Sequence, residues 1–226
     1  MTSVSQTPKR QFVHALGYAT LVSVGLYGYG VLRNDSLVYG YLLWNLFLAW
    51  SPLVLAVWLA RILKTKLWSS WEALAVSVAW LIFLPNSFYM ISDYIHLQDV
   101  APANILYDAV LFTAFIYTGV LLGFSSLYLI HLELKKRFSS RLARVIVALT
   151  LLLCSFAIYI GRDLRWNSWD ILTNPGGLLF DVSDRLLHPA AYPAMFLAVV
   201  AFFALLSSMY GLVWRGSQLL HSLGRP

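Results

Sequence analysis

Six apolar runs, at residues 12–32, 37–60, 71–91, 105–130, 142–160 and 191–214, constrain this chain more than any other feature. Each is close to the ~20 residues that an α-helix needs to cross a hydrocarbon core. With 60% hydrophobic residues, 12% charged residues and a mean hydropathy of +0.71, a soluble globule would leave too much apolar surface facing water. Six helices and their connections account for the length, so the expectation is an all-α polytopic membrane protein, one transmembrane domain over residues 1–226. The one cysteine, Cys154, lies inside an apolar run, which leaves neither a disulfide framework nor a thiolate metal site.

The punctuation between the runs refines this. Lys9 and Arg10 precede the first run, which exceeds a signal-peptide core and has no clean cleavage site after it, so it reads as an uncleaved span. Gly17, Gly25, Gly28 and Gly30 are expected to allow close helix packing, as are Gly119 and Gly123 in the fourth span. Pro52 should kink the second span, and Pro85-Asn86 should interrupt the third. Ser69 with Glu72 three residues on has capping-box spacing. Residues 89–100 read as a helix end along the membrane interface. A turn at Asn174-Pro175-Gly176 then opens a short amphipathic helix over 178–187, with Asp181 and Arg185 spaced to pair on its wet face and Leu179, Phe180 and Leu186 directed to lipid or protein.

Charge sets the expected orientation. Lys9, Arg10, Arg61, Lys64, Lys66, Lys135, Lys136, Arg137, Arg141, Arg144, Arg215 and Arg225 fall on one side of the alternating spans, and only Arg33, Arg162, Arg165 and Arg185 on the other. The positive-inside rule then places both termini in the cytoplasm. The acidic residues segregate inversely: Asp35, Asp93, Asp99, Asp108, Asp163, Asp170, Asp181 and Asp184 face out, leaving Glu72 and Glu133 inside. Depth follows from direction. Asn45 lies at most about 12 Å below the outer end of its span at 1.5 Å per residue. Asn86, Asp108 and Arg162 also come out in the outer leaflet or at its boundary.

The densest chemistry is the decapeptide at 161–170, Gly-Arg-Asp-Leu-Arg-Trp-Asn-Ser-Trp-Asp. If the fifth helix continues through it, Arg162 and Arg165 share a face and form an anion clamp with Asn167 and Asp170. The competing reading is snorkelling arginines with Trp166 and Trp169 as interfacial anchors, and an Asn167/Asp170 helix start. Asp93 and His96, three apart, would project together, as suits metal ligation or a carboxylate orienting an imidazole; a hydrogen-bonded interfacial histidine is the bland alternative. A divalent metal such as zinc, manganese or iron would need Asp108 and Asp170 to complete its ligands, and no HExxH or paired-histidine motif is present. An ionised Asp108 in a span costs about 3 kcal/mol and demands a partner, for which Arg162 or Arg165 is the candidate; a purely structural ion pair that fixes helix register stands beside a catalytic or transport role. Asn45 and Asn86 serve either as interhelical hydrogen-bond donors or as ligand contacts. The remaining histidines carry no usable signal.

Four stretches, Asn-Leu-Phe-Leu-Ala-Trp-Ser-Pro at 45–52, Leu-Pro-Asn with the Asp93/His96 spacing in 84–97, Tyr107-Asp108, and the decapeptide, together resemble a family of bacterial integral membrane proteins classed as a domain of unknown function. The sequence departs from that pattern at Ser87-Phe88, where a small residue and proline are usual, and at Asp163, where an apolar aromatic is common. The resemblance implies the fold and a bacterial inner-membrane location and supplies no mechanism.

The expected function is therefore an outward-facing polar pocket for a small anionic or lipid-headgroup-like ligand, with Asp93, His96 and Asp108 as tentative catalytic groups for chemistry on it. Arg162, Arg165, Asn167, Asp170, Asn45 and Asn86 are the binding candidates. Two other classes stay open: a small transporter or channel, which the lack of charge in the inner half of any span disfavours, and an assembly or scaffold subunit using Gly119 and Gly123. The lipid bilayer is the expected partner, with anionic lipid at the basic loops and no nucleic acid.

Overall fold

A computed structural model describes residues 7–34, 37–99 and 104–223. Asp35, Val100 and Arg225 lie outside them, and of Lys9, Asp99 and His221 only the backbone is described. The described residues form α1 (Thr7–Asn34), α2 (Gly40–Ile62), α3 (Trp71–Tyr89), a 3₁₀ segment (Met90–Asp99), α4 (Ile105–Arg137), α5 (Ser140–Asp163), α6 (Asp170–Thr173), α7 (Pro175–Leu187), a 3₁₀ turn (Pro189–Ala191) and α8 (Pro193–Leu223). Six helical segments are long and apolar enough to cross a membrane, in the order the sequence implies.

The core is built by α2, α3 and α4, whose close approach is decided by small residues. A Cβ on Gly119 would lie 2.9 Å from the Ser87 carbonyl oxygen, and one on Gly123 would lie 2.7 Å from the Phe88 ring. Both glycines are therefore used inside the bundle, against α3, and not for docking another chain. The glycines of α1 behave differently: Gly17, Gly25 and Gly28 have open space where a side chain would be, and only Gly30 meets a neighbour, Tyr107. α1 is held to the bundle by Leu16 and Tyr27, which are buried in the core, and by polar contacts: Tyr107 donates its hydroxyl to the Leu26 carbonyl, Ser23 and Thr118 share a hydrogen bond of 3.1 Å, and Trp50 donates to Thr20.

Pro85 does not interrupt α3, which runs through it to Tyr89. Spans tolerate proline where neighbouring helices and hydroxyl side chains re-satisfy the local backbone. Around Pro85, Ser168 donates to the Ile82 carbonyl at 3.2 Å and Asn86 to the Phe83 carbonyl at 3.0 Å. Deeper in the core, Ser87 donates to the Ala49 carbonyl and Ser126 to the Pro52 carbonyl, each at 3.0 Å, while Trp80 donates to Ser126 at 2.6 Å. These buried bonds join α2, α3 and α4 beside both prolines. The N-cap of α3 is Ser70, not Ser69: its hydroxyl accepts from the Ala73 amide, while Glu72 pairs with Lys66.

Residues 90–99 form a 3₁₀ segment. They continue α3 with tighter winding and pack on α4, burying Met90 and Asp93 and leaving Tyr94 and Ile95 exposed. Contacts between the starts of α2 and α4 and the ends of α3 and α5 define one end of the bundle, which is rich in aspartates. Arg137 on the Leu63 carbonyl marks the opposite end, where the Lys and Arg clusters lie. The amphipathic helix forms as α7, starting slightly earlier than expected, with Asn174 capping the Gly177 amide and Asp181 paired with Arg185 at 3.5 Å. Leu179, Phe180 and Leu186 face away from the bundle.

Candidate functional site

Arg162, in the last turn of α5, is the hub of the aspartate-rich end. Its Nε and Nη2 donate to the Ser92 hydroxyl at 2.9 and 2.7 Å, Nη2 also reaches Asp93 Oδ1 at 2.5 Å, and Nη1 lies 3.3 Å from His96 Nε2. Its guanidinium carbon stands 4.7 Å from the centroid of the Tyr89 ring. A guanidinium has no acceptor, so His96 Nε2 must accept in this contact, which puts the imidazole proton on Nδ1. Asp93 is only 1% exposed, and its second oxygen takes the Asn45 amide at 3.3 Å. The 3₁₀ winding explains the grouping: at 3.0 residues per turn, positions three apart eclipse, so Asp93 and His96 present one face to one arginine. Asp93 does not orient His96 directly, because Arg162 stands between them.

The decapeptide does not continue the helix. α5 ends at Asp163, the Leu164 amide bonds to the Ile160 carbonyl, and Arg165 takes a left-handed conformation with φ of 59°. That turn separates Arg165 from Arg162, leaves it exposed, and dissolves the expected two-arginine clamp. Asn167 and Asp170 form a local helix start: Asp170 Oδ2 accepts from the Asn167 backbone amide at 2.6 Å and from its side chain at 3.3 Å. The backbone bond, with a smaller contribution from Thr173, holds the Asp170 carboxyl below its usual range. Ser168 fixes the loop to α3 by donating to the Ile82 carbonyl and accepting from Asn86 at 2.9 Å.

Beside the arginine cluster lies a cavity of about 560 Å³. It sits on the face of α3 between α2 and α5, which both pack on α3 without packing closely on each other. Its polar wall carries Asn45, Asn86, Asp93, His96, Arg162 and Asn167. Leu48, Leu81, Leu153 and Phe156 make it apolar deeper in the spans, and Trp166, Ile171, Leu178 and Val182 roof it. Trp166 is held in the roof by a 2.8 Å bond from its indole nitrogen to Asp181.

Asp108 is not part of this site. It is buried at the start of α4, where Oδ2 accepts from the Tyr39 hydroxyl at 3.1 Å, and its partner is that tyrosine rather than Arg162 or Arg165. Arg165 and Asp170 do not line the cavity either. Among the described residues no three His, Cys, Asp or Glu side chains gather as a metal site would require, so Asp108 and Asp170 do not complete the Asp93/His96 pair. Sequence reasoning overlooked Ser92, Tyr41, Tyr89 and Ser168. Serines and tyrosines are common in spans and loops, and only the fold reveals that Ser92 bridges to Arg162 and that Tyr41 stands beside His96, with ring centroids 5.3 Å apart.

Fold and site together define a helical membrane protein with six spanning helices and, near one end, a buried ion-pair cluster facing a mostly apolar cavity. The family described as Protein of unknown function (DUF1361) matches residues 44–209, which hold all the lining residues of the cavity except Tyr41, and the chain belongs to that family. No curated protein and no solved structure matches the chain.

Proposed function

We propose that this is a bacterial inner-membrane protein, with both termini in the cytoplasm, whose cavity takes up an amphipathic, lipid-headgroup-bearing ligand from the outer leaflet. The observation that carries the reading is the polarity gradient of the cavity, from the Asp93, Arg162 and His96 cluster at one end to Leu48, Leu81, Leu153 and Phe156 deeper in the spans. Trp44 and Leu153, at the edges of the gap between α2 and α5, are each about half exposed, which supports entry sideways from the bilayer. A head recognised by hydrogen bonds fits better than a bare anion, because the charge of Arg162 is already matched by Asp93. His96, Asn86 and Asn167 are the polar groups that meet the head; Arg162, held by Asp93, positions His96, while Ser168 holds Asn86 and Asp170 holds Asn167. Any proton exchange with the head falls to His96, the titratable cavity group in this set without a direct carboxylate bond.

The test is a lipid and metal inventory of the purified protein alongside Ala157→Trp, which fills the apolar part of the cavity, and His96→Ala, which alters its polar wall. A lipid species retained by the parent should be lost from Ala157→Trp and change in headgroup selectivity in His96→Ala. Identical lipid content in all three would overturn the reading.

A further inference from the structure

A second cavity, of about 400 Å³, lies between α4 and α8 at the opposite, basic end, lined by Tyr128, Leu132, Lys135, Trp214, Ser217, Gln218 and Ser222. We infer that it is a docking site for the phosphate-bearing head of an anionic phospholipid in the leaflet facing the basic loops. The argument begins with Lys135. Its ammonium lies 5.1 Å from the centroid of the Trp214 ring, and among the described residues it has no carboxylate within ion-pair distance. The two acidic residues of this end are committed to other lysines, Glu133 to Lys136 at 2.6 Å and Glu72 to Lys66.

The wall behind Lys135 is a stack of aromatic rings. Trp214 stacks on His131 with centroids 3.8 Å apart and planes 22° from parallel, Tyr128 leans on Trp214 at 5.4 Å, and the buried His131 shares a 2.9 Å hydrogen bond with Tyr210. Such a stack fixes the indole and limits the directions open to the Lys135 stem. Aromatic rings beside a lysine at a membrane boundary suit the region where glycerol meets phosphate. Ser217 and Ser222 donate their hydroxyl protons to their own helix, to the Trp214 and Leu219 carbonyls, so in this arrangement they give a phosphate no donor and can only accept, as from the hydroxyls of a glycerol head, which leaves Lys135 to meet the phosphate. Charge favours an anion throughout, since every described Lys and Arg except Arg33, Arg162, Arg165 and Arg185 lies at this end. Polybasic segments draw anionic lipid to a surface; a cavity with one unpaired lysine on a fixed indole gives that attraction an address.

The full chain, purified in a neutral detergent, would be offered equal amounts of phosphatidylglycerol and phosphatidylcholine with the same acyl chains, and retained lipid read by native mass spectrometry. The parent should retain phosphatidylglycerol preferentially. Lys135→Gln should lower that preference about fivefold, the equivalent of about 1 kcal/mol for one basic side chain at a membrane surface, while Lys135→Arg keeps it. Lys64→Gln, at the same end but outside the cavity, should change it by less than about twofold, as for screened long-range attraction. Should Lys135→Gln fail to fold, Ser217→Trp fills the cavity without removing a charge and should show the same loss. Equal retention of both lipids, an equal loss in Lys64→Gln, or displacement by millimolar inorganic phosphate would overturn the site. So would a change of oligomeric state in Lys135→Gln with lipid retention unaltered, which would mark the cavity as a contact between copies of the chain.

Discussion

Removing Arg162 should cost this protein more than removing the residue it pairs with. Asp93 is 1% exposed and depends on Arg162 and Asn45 for its hydrogen bonds, whereas the Arg162 side chain is 22% exposed, borders the cavity and keeps Ser92, His96 and the Tyr89 ring if Asp93 is lost. Stranding one member of a buried pair costs about 3–5 kcal/mol, and Arg162→Met leaves the more buried charge uncompensated, so it belongs at the top of that range. Asp93→Asn leaves a guanidinium with other acceptors and should cost about 1–3 kcal/mol. Asp93→Leu combined with Arg162→Met strands no charge and should be more stable than Arg162→Met alone, since apolar replacement of a buried pair is often neutral. The assay is reversible unfolding in mixed micelles, with Arg162→Met, Asp93→Leu and their double variant forming a thermodynamic cycle. A cost for Arg162→Met below about 1 kcal/mol, as for a solvent-exposed pair, or a double variant equal to the sum of the singles, would refute the reasoning.

Two other outcomes follow from local geometry. Gly123→Leu should destabilise by about 1–3 kcal/mol or more, because its Cβ alone would meet the Phe88 ring and Ser87 Cβ at 2.7–2.8 Å, while Gly25→Leu, with open space at that position, should be near neutral in the same unfolding assay. The α7–α8 corner should loosen in acid: Tyr192 donates to Asp184 at 2.5 Å, and this bond, with help from His188 and Arg185, lowers the Asp184 carboxyl below its usual range. A carboxyl depressed in the folded state contributes stability above its unfolded value and loses it as pH falls through the folded one. The protection of α7 amides against hydrogen exchange, relative to the intrinsic exchange rate at each pH, should therefore fall toward low pH, and Tyr192→Phe should flatten that dependence.

Much of the site was within reach of the sequence, and the misses have physical causes. Asp93, His96, Arg162, Asn45 and Asn86 all reach one cavity, because alternating spans fix which end each residue occupies and 1.5 Å per residue fixes its depth. Arg165 was misplaced because the end of α5 turns on a left-handed non-glycine residue, which helical periodicity does not foretell. Asp108 was assigned the wrong partner because two buried carboxylates at similar depth compete for one guanidinium, and depth alone does not choose between them.

Hydropathy and charge, which act residue by residue, by themselves determined the number of spanning helices, their order, the segregation of basic from acidic ends and the short amphipathic helix near the last span. Tertiary structure alone decided how each helix is rotated about its axis and therefore what each polar side chain touches. The 3₁₀ continuation of α3 turned Asp93 and His96 toward Arg162, while the setting of α4 gave Asp108 to Tyr39 and Gly119 and Gly123 to α3. Within lipid a helix has no hydrophobic drive to choose one face over another, so that choice rests on close packing and hydrogen bonds between segments far apart in the chain.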